Sequence, residues 1–307
     1  MKKQLAKRLL ASVFVLIGVS IIAFLLVRLG GGDPASMMAG DTATPEEIEE
    51  YRIRMGLDKP WLIQYFNYIL GLFKGDLGFS WTYNMTVADV LKSRLPQTLV
   101  LSLFGFGWSC VFSIVFGVIA GVKQGTAIDF GAMFFAIIGQ SMATVWLGFL
   151  LILVFGVHLK WLPIQGMGTF KHMIMPGLCV GFGYAASQTR LMRSSMVDVI
   201  REDYITATRA RGISKGVTYM KYAFRNALLP IVTNIGFQFG KLFAGATVVE
   251  NIFNWPGMGA LLIQAINTRD YQMVQSILLI SSAMLVVGNL LADILYTVVD
   301  PRISFGD

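Results

Sequence analysis

Polar side chains recur at helical spacing in one apolar run of the sequence. Asn234, Gln238 and Lys241 stand at positions i, i+4 and i+7, so they share one face of a helix. Two amides and an ammonium group could bind a polar solute by hydrogen bonding and charge. In a membrane such groups are costly and usually face a cavity or a partner, although Lys241 could instead lie near a membrane surface and extend its ammonium group into water. The pattern predicts that these residues line a solute path.

The other residue types offer little chemistry. His158 and His172 are the only histidines, and neither has a carboxylate at the spacing of metal ligands. The phosphate-binding pattern G-x-x-x-x-G-K-[ST] does not occur. Cys110 and Cys179 lie in apolar runs, where a cysteine usually acts as a small apolar side chain. We expect that the chain is not an enzyme and binds no metal or cofactor itself.

The composition is typical of a membrane protein. Hydrophobic residues make up 55% of the 307 residues and charged residues only 14%, whereas soluble domains carry about a quarter charged residues. Six runs have roughly the 20 apolar residues that a spanning helix needs: 9–29, 98–122, 128–155, 173–191, 228–249 and 273–299. The first run is too long for a cleavable signal peptide and is predicted to be a retained helix. We predict an all-α integral membrane protein with six transmembrane helices.

The basic residues predict the orientation. Four Lys or Arg precede residue 9, and segment 190–225 holds eight against three acidic residues, while loop 30–95 holds six against nine. Because Lys and Arg accumulate on cytoplasmic loops, both termini and segment 190–225 are predicted to be cytoplasmic. The net charge of +7 is then an orientation signal rather than a nucleic-acid site.

Loop 30–95 is predicted to form a small ordered cap outside the membrane. Thr44 can cap a helix whose first residue is Pro45, and Gly56 can end that helix. A second amphipathic stretch covers residues 61–73. Within the second span, "GVIAG" at 117–121 has the G-x-x-x-G spacing that permits close helix packing.

The segment between the fourth and fifth spans predicts a helical elbow. Ser195 and Asp198 can form a capping box that begins a helix, which continues to Arg211. Gly212 supplies the left-handed residue that ends it, and Ser214 can begin the next helix.

The first helix of this elbow has a face suited to a partner. Tyr204, Ala207, Thr208 and Arg211 share it by their i, i+3, i+4, i+7 spacing. Small residues permit close approach, and aromatic and arginine side chains are frequent anchors at interfaces. The alternative is a solvated loop whose arginines only set the orientation.

The sequence "DYITATRARG" (203–212), followed by "RNALLP" (225–230), resembles the cytoplasmic EAA loop of ABC-transporter permease subunits, most closely in the dipeptide and oligopeptide branch. The sequence departs from that pattern at Thr206, Thr208 and Tyr222. Further similar motifs follow the same order along the chain: "GDLGFS" (75–80), "LPQTLVLSL" (95–103), "VVENIFNWPGMG" (248–259) and "DILYTVVDPR" (293–302).

In that family the loop forms a coupling helix that docks on a separate ATP-hydrolysing subunit. The resemblance implies this role for Asp203, Tyr204, Ala207, Arg209, Ala210 and Gly212. It implies the type I ABC importer permease fold in a bacterial cytoplasmic (inner) membrane, with uptake of di- or oligopeptides. It also implies a second homologous permease subunit as a heterodimer partner, two ATPase subunits that bind the ATP and magnesium, and an extracytoplasmic substrate-binding protein.

The resemblance also gives the chain four parts. These are an N-terminal transmembrane helix at 1–29, an extracytoplasmic loop with short helices at 30–94, a core permease domain at 95–299 that contains the coupling loop 192–227, and a cytoplasmic tail at 300–307.

Other functions remain open at this point. Related permeases carry nickel complexes or glutathione, so the same machinery could import either. A different class is an ion-coupled secondary transporter, with Lys241 and Asp293 as its titrating groups. A gated channel would conduct without any ATPase partner.

Overall fold

The computed structural model describes residues 2–29, 33–40 and 42–299, and the side chains within them except those of 2–9, 237, 239–245 and 291–299. Most of the described chain is helical. The helices are α1 Lys2–Leu29, α2 Pro34–Ala39, α3 Pro45–Arg54, α4 Trp61–Phe73, α5 Val87–Val122, α6 Ala127–Ser141, α7 Thr144–Leu151, α8 Phe170–Ile200, α9 Asp203–Ala210, α10 Lys215–Val217, α11 Phe224–Ile252, α12 Met258–Asn267 and α13 Tyr271–Val299. Segments Ile152–His158 and Thr218–Ala223 are π-helical, and β1 (Phe79–Ser80) pairs antiparallel with β2 (Met85–Thr86).

The chain divides into two compact units. One consists of Met1–Thr98 and Pro256–Val286, the other of Leu99–Trp255 and Val287–Asp307. The four-part division predicted from the sequence concerns membrane topology, which this grouping does not test, and it stays a prediction.

Several helices are long and apolar enough to cross a membrane. In the described part of the chain these are Leu10–Leu29, Val87–Val122 and Tyr271–Leu290, and the pair Ala127–Ser141 and Thr144–His158 is a fourth candidate if it forms one broken span. The predicted all-α membrane architecture is confirmed, while the count of six spans stays a prediction.

The third apolar run, predicted as one continuous span over 128–155, is broken. Its two arms meet at 110° across Met142 and Ala143, which have extended backbones. Next to the break, Cys179 Sγ of α8 donates a hydrogen bond to the carbonyl of Thr144 at 3.3 Å. The break therefore accompanies packing against a distant helix, which an apolar run without proline does not reveal.

Two short helices of the first unit, α3 and α4, lie where the sequence predicts. Thr44 Oγ1 accepts a hydrogen bond from the Glu47 amide at 3.3 Å, and the Glu47 carboxylate accepts one from the Thr44 amide at 2.8 Å. Pro45 is the first residue of α3, and Gly56 follows the helix with φ of +67°. α4 covers the predicted range Trp61–Phe73. These predictions are confirmed.

The β1–β2 hairpin of this unit is held by side chains that precede and begin α13. The Phe79 amide donates to Gln272 Oε1 at 3.0 Å, and the Ser80 hydroxyl donates to the Asp270 carboxylate. Beside the hairpin lies an apolar core from α5, α12 and α13. Its buried members are Val87, Val90, Leu91, Met258, Leu261, Ala265, Met273, Val274 and Ile277.

Glycines determine the closest approach of α5 and α8 in the second unit. A Cβ atom at Gly117 would stand 2.5 Å from Cβ of Met192, and one at Gly121 would stand 2.5 Å from Cβ of Met196. Carbon atoms do not approach so closely without contact repulsion, so the backbone of α5 can lie against α8 only because both residues lack a side chain. The close packing predicted from the 117–121 pattern is confirmed.

Candidate functional site: the exposed helix α9

The basic segment forms a short helix of its own. α8 continues to Ile200, and α9 begins at Asp203 after Glu202, which has an extended backbone. The prediction that a helix begins at Ser195 is wrong, since Ser195 lies inside α8. The reason is that Met196 stays fully buried in the apolar core beneath α9, so α8 remains helical through this region.

A single buried side chain anchors α9. Ile205 is 1% exposed and packs against residues of α5, α8 and α11 and of the π-helical segment before α11. These buried neighbours are Val118, Met192, Met196, Ala223, Ala227 and Ile231. The residues that the resemblance assigns to the coupling role are all exposed: Asp203, Tyr204, Ala207, Arg209, Ala210 and Gly212. α9 thus presents small, charged and aromatic side chains to its surroundings while Ile205 fixes it to the helices below.

Two further contacts define the elbow. Asn226 Nδ2 donates a hydrogen bond to Tyr204 Oη at 2.7 Å, which joins α9 to the start of α11. Gly212 has φ of +82°, and its amide donates to the Arg209 carbonyl at 3.0 Å. Ser214 precedes α10 as its N-cap residue. The predicted glycine turn and the start of the next helix at Ser214 are confirmed.

An ion pair that the sequence analysis did not single out lies in the same unit. Arg193 Nε and Nη2 donate to the two carboxylate oxygens of Asp129 at 2.9 and 2.8 Å, and the Gly125 amide also donates to Asp129 at 2.9 Å. The Asp129 side chain is 4% exposed. This bidentate contact joins the start of α6 to the end of α8. Its partners are far apart in sequence, so no local spacing rule indicates it.

The polar stripe predicted to line a solute path lies on a continuous helix. The extent of α11, Phe224–Ile252, places the three residues on one face. Asn234 and Gln238 are half-buried, whereas the side chain of Lys241 lies outside the described part of the structure. On α8, Gln188 is buried, and neither of its amide atoms has a hydrogen-bond partner among the described residues. The role of the stripe stays a prediction.

Both histidines contact nearby backbone or hydroxyl groups. His158 Nδ1 lies 2.9 Å from the Leu153 carbonyl, and His172 Nδ1 accepts a hydrogen bond from the Thr169 amide at 3.1 Å at the start of α8. In the parts of the chain that the structure describes, no group of three or more His, Cys, Asp and Glu side chains is arranged to hold a metal ion.

The fold is that of a helical membrane protein with a short, mostly exposed helix, α9. The chain matches the family described as "Binding-protein-dependent transport system inner membrane component" over residues 113–305, and the N-terminal membrane-component family of the same systems over residues 1–102. The chain belongs to this family, the permease subunits of ABC importers.

Its relatives include the "Glutathione transport system permease protein GsiC" of Escherichia coli (strain K12), which is 40% identical over 305 residues. The same protein of Shigella dysenteriae serotype 1 is also 40% identical, and that of Shigella boydii serotype 4 is 39% identical. Each alignment covers 99% of this chain and 100% of the relative.

Family membership fixes the general role. The chain is a multi-pass inner-membrane permease component and not the ATPase of its system. A binding-protein-dependent system also requires ATPase subunits and a substrate-binding protein, so these are its partners.

Proposed function

We propose that this chain imports short peptides, glutathione included, and that α9 is the surface on which an ATPase subunit docks. The observation that carries the docking proposal is the division of side chains on α9. Ile205 is buried, while the six residues of the coupling motif are exposed. An isolated helix of eight residues would be only marginally stable in water, so its attachment through Ile205 keeps it in a defined position for a partner.

The docking proposal is tested by changing small exposed residues of α9. Ala207→Trp and Ala210→Trp place bulky side chains on this face without disturbing the buried Ile205. We expect the ATPase subunits to be lost when the transporter is purified from either variant, because a close-packed interface does not accommodate the added volume. Lys171→Trp, at an exposed position near the start of α8, is the control and should retain the ATPase subunits. Retention of the ATPases in both α9 variants would refute the docking surface.

The substrate proposal draws on the relatives and on the resemblance to peptide permeases. GsiC is by name part of a glutathione transport system, and glutathione is itself a tripeptide. A permease for short peptides therefore accounts for both similarities. Nickel complexes are the less favoured substrate, because none of the relatives named here carries that description.

Reconstitution distinguishes these substrates. The chain, the second permease subunit and the ATPases are placed in liposomes with the binding protein, and uptake of glutathione, a dipeptide and nickel is measured with ATP. We expect uptake of glutathione or the dipeptide and none of nickel. Uptake of nickel alone, or uptake driven by an ion gradient without ATP, would contradict the proposal.

The orientation and assembly belong to the same proposal. Docking of cytoplasmic ATPases on α9 requires α9 to lie in the cytoplasm, which agrees with the basic residues of segment 190–225. The termini then lie in the cytoplasm as well. The second permease subunit is a different chain in this proposal, so that the pair is a heterodimer, and ATP and magnesium bind to the ATPases alone.

The proposed solute path has its own test. Cysteines at positions 234, 238 and 241 should react with water-soluble thiol reagents in at least one transport state. Protection of all three in every state would exclude them from the path.

A further inference from the structure

A cleft in the first unit has features of a binding site. Its volume is about 230 Å³. Whole small-molecule sites occupy roughly 300–1,000 Å³, so this cleft suits one end of a molecule. It lies among the end of α1, helix α4, the hairpin region and the start of α13.

Unpartnered polar groups line this cleft. The Tyr68 hydroxyl and the Gln275 side-chain Nε2 are both buried, and neither has a hydrogen-bond partner in the described part of the chain. Gln275 as a whole is only 3% exposed. Buried polar groups in folded proteins are nearly always hydrogen-bonded, so two such groups in one small cleft indicate a ligand that supplies the partner.

Both of these groups can act as donors. Burial raises the pKa of Tyr68 to about 12, so its hydroxyl stays protonated at neutral pH. A side-chain amide nitrogen carries two N–H bonds and no acceptor. The amide nitrogen can only donate and the hydroxyl can donate or accept, so one acceptor would satisfy both groups.

The charge of the cleft points to an anionic acceptor. Arg28 donates through Nε and Nη2 to Gln64 Oε1 at 3.2 and 2.7 Å and through Nη1 to the Phe24 carbonyl at 3.2 Å. These contacts are all with neutral groups. Among the described residues no carboxylate forms an ion pair with Arg28. Its guanidinium group has five N–H bonds, and the hydrogen bonds above use three of them.

The acidic residues of the cleft accept hydrogen bonds from neutral groups. Asp270 accepts from the Ser80 hydroxyl and from the Met273 amide at 3.1 Å, and Asp76 accepts from the Gly78 amide at 2.8 Å. Lys59 and Arg269 add positive charge at exposed positions of the lining. The lining thus holds three cations, Arg28, Lys59 and Arg269, against two carboxylates.

The walls of the cleft are held in place without a ligand. The Ser276 hydroxyl donates to the Leu77 carbonyl at 3.1 Å, and the Phe79 amide donates to Gln272. Gly78 has φ of +90°, and a side chain at position 78 would displace the end of the Gln272 side chain. A preformed cleft binds without the entropic cost of ordering its walls.

We propose that this cleft binds the carboxylate of the transported solute, with Arg28, Tyr68 and Gln275 as the donors. The ligand class follows from the proposed function, because glutathione and other short peptides carry free carboxylates. Most of the lining belongs to loop 30–94, which is predicted to be extracytoplasmic, so the cleft would bind the solute before transport.

The test compares glutathione with its diamide, in which both carboxylates are amides. The complete transporter is held in nanodiscs of phosphatidylcholine without ATP, and binding is measured by calorimetry. We expect the diamide to bind about tenfold more weakly, since hydrogen bonds to a charged group are stronger than those to a neutral one. Arg28→Gln and Gln275→Leu should abolish this difference.

Matched controls separate a binding role from a structural one. Arg54→Gln and Gln264→Leu alter the same residue types outside the cleft and should preserve the preference for the carboxylate. Tyr68→Phe removes an unpartnered hydroxyl and should leave the Tm of the ligand-free protein unchanged or higher. Tyr65→Phe, in contrast, removes a hydroxyl hydrogen-bonded to Ser20 at 2.9 Å and should lower it.

Several outcomes would overturn the proposal. Equal binding of glutathione and its diamide would do so, as would a preference that survives in Arg28→Gln and Gln275→Leu. Nanodiscs with phosphatidylglycerol provide a further arm. A lipid phosphate would be the ligand if two results came together. Glutathione binding would be lost in these nanodiscs, and native mass spectrometry would find the lipid bound to Arg54→Gln but not to Arg28→Gln.

The result is distinguishable from failure of the proposed function. If the transporter takes up no peptide with ATP but still prefers glutathione over its diamide, the carboxylate site stands and the proposed function is refuted. If it takes up peptide but binds glutathione and its diamide equally, the proposed function stands and the carboxylate site is refuted.

Discussion

Gly212 is the residue on which the shape of the elbow depends most directly. Its φ of +82° belongs to the left-handed region, and no atom lies within 4 Å of the place where a Cβ would stand. Only the backbone conformation therefore opposes a side chain there, at a cost of about 1–2 kcal/mol for most residues. Asparagine tolerates this region better than alanine does, whereas proline cannot adopt it.

We expect Gly212→Pro and Gly212→Ala to insert into the membrane normally but to move less solute per ATP hydrolysed, with Gly212→Asn nearer to the parent protein. Proteoliposomes in which uptake and ATP hydrolysis are followed together give this ratio. An unchanged ratio in the proline variant would remove the elbow from the coupling mechanism.

The ion pair of Arg193 and Asp129 gives a second prediction at the residue scale. Removal of one partner leaves the other charge uncompensated in a partly buried place. We expect Asp129→Leu alone to destabilise the protein by about 2–4 kcal/mol. The double variant Asp129→Leu, Arg193→Met should recover part of this loss. Thermal unfolding of both variants and of Arg193→Met in detergent completes the double-mutant cycle, and strictly additive effects would show that the pair contributes nothing.

The packing of α5 on α8 is tested at the scale of helices. Gly117→Val forces a side chain against Met192, and overpacking of this kind costs about 1–3 kcal/mol. Gly107→Val is the matched control on the same helix, because a Cβ at Gly107 would meet nothing within 4 Å. We expect a lower Tm for the Gly117 variant only. Equal Tm values for the two variants would contradict the close approach of the helices.

The helices also show what the sequence could predict. Local signals were sufficient for α3, where Thr44 and Glu47 form the capping box, and for the left-handed turn at Gly212. The start of α9 was missed because the burial of Met196, a contact between helices, keeps α8 helical past the apparent cap at Ser195.

The candidate site residues also differ in whether local sequence or contacts between distant segments determine them. The exposure of the α9 residues agrees with their motif, since a short amphipathic segment carries its own pattern. The cleft at Arg28 and Gln275 could not be predicted, because its lining comes from segments nearly 250 residues apart in sequence. Hydropathy also marks Gln275 only as a polar residue in a span and does not show that its Nε2 has no partner among the described residues.

The whole molecule is a helical membrane permease whose system includes ATPase subunits on other chains. The family assigns it the permease role, and α9 is the exposed element that we propose receives the motion of the ATPases. The chain lacks the phosphate-binding sequence pattern of an ATPase. In our proposal, the ATPase subunits hydrolyse the ATP, and the resulting motion reaches this chain only through protein–protein contact.

ATP-driven uptake by purified components tests this claim most directly. Liposomes that contain the two permease subunits and the binding protein are compared with and without the ATPase subunits, at equal ATP and with no ion gradient. The account predicts accumulation of glutathione or a dipeptide only when the ATPases are present. Accumulation against a gradient by the permease chains without any ATPase would contradict it.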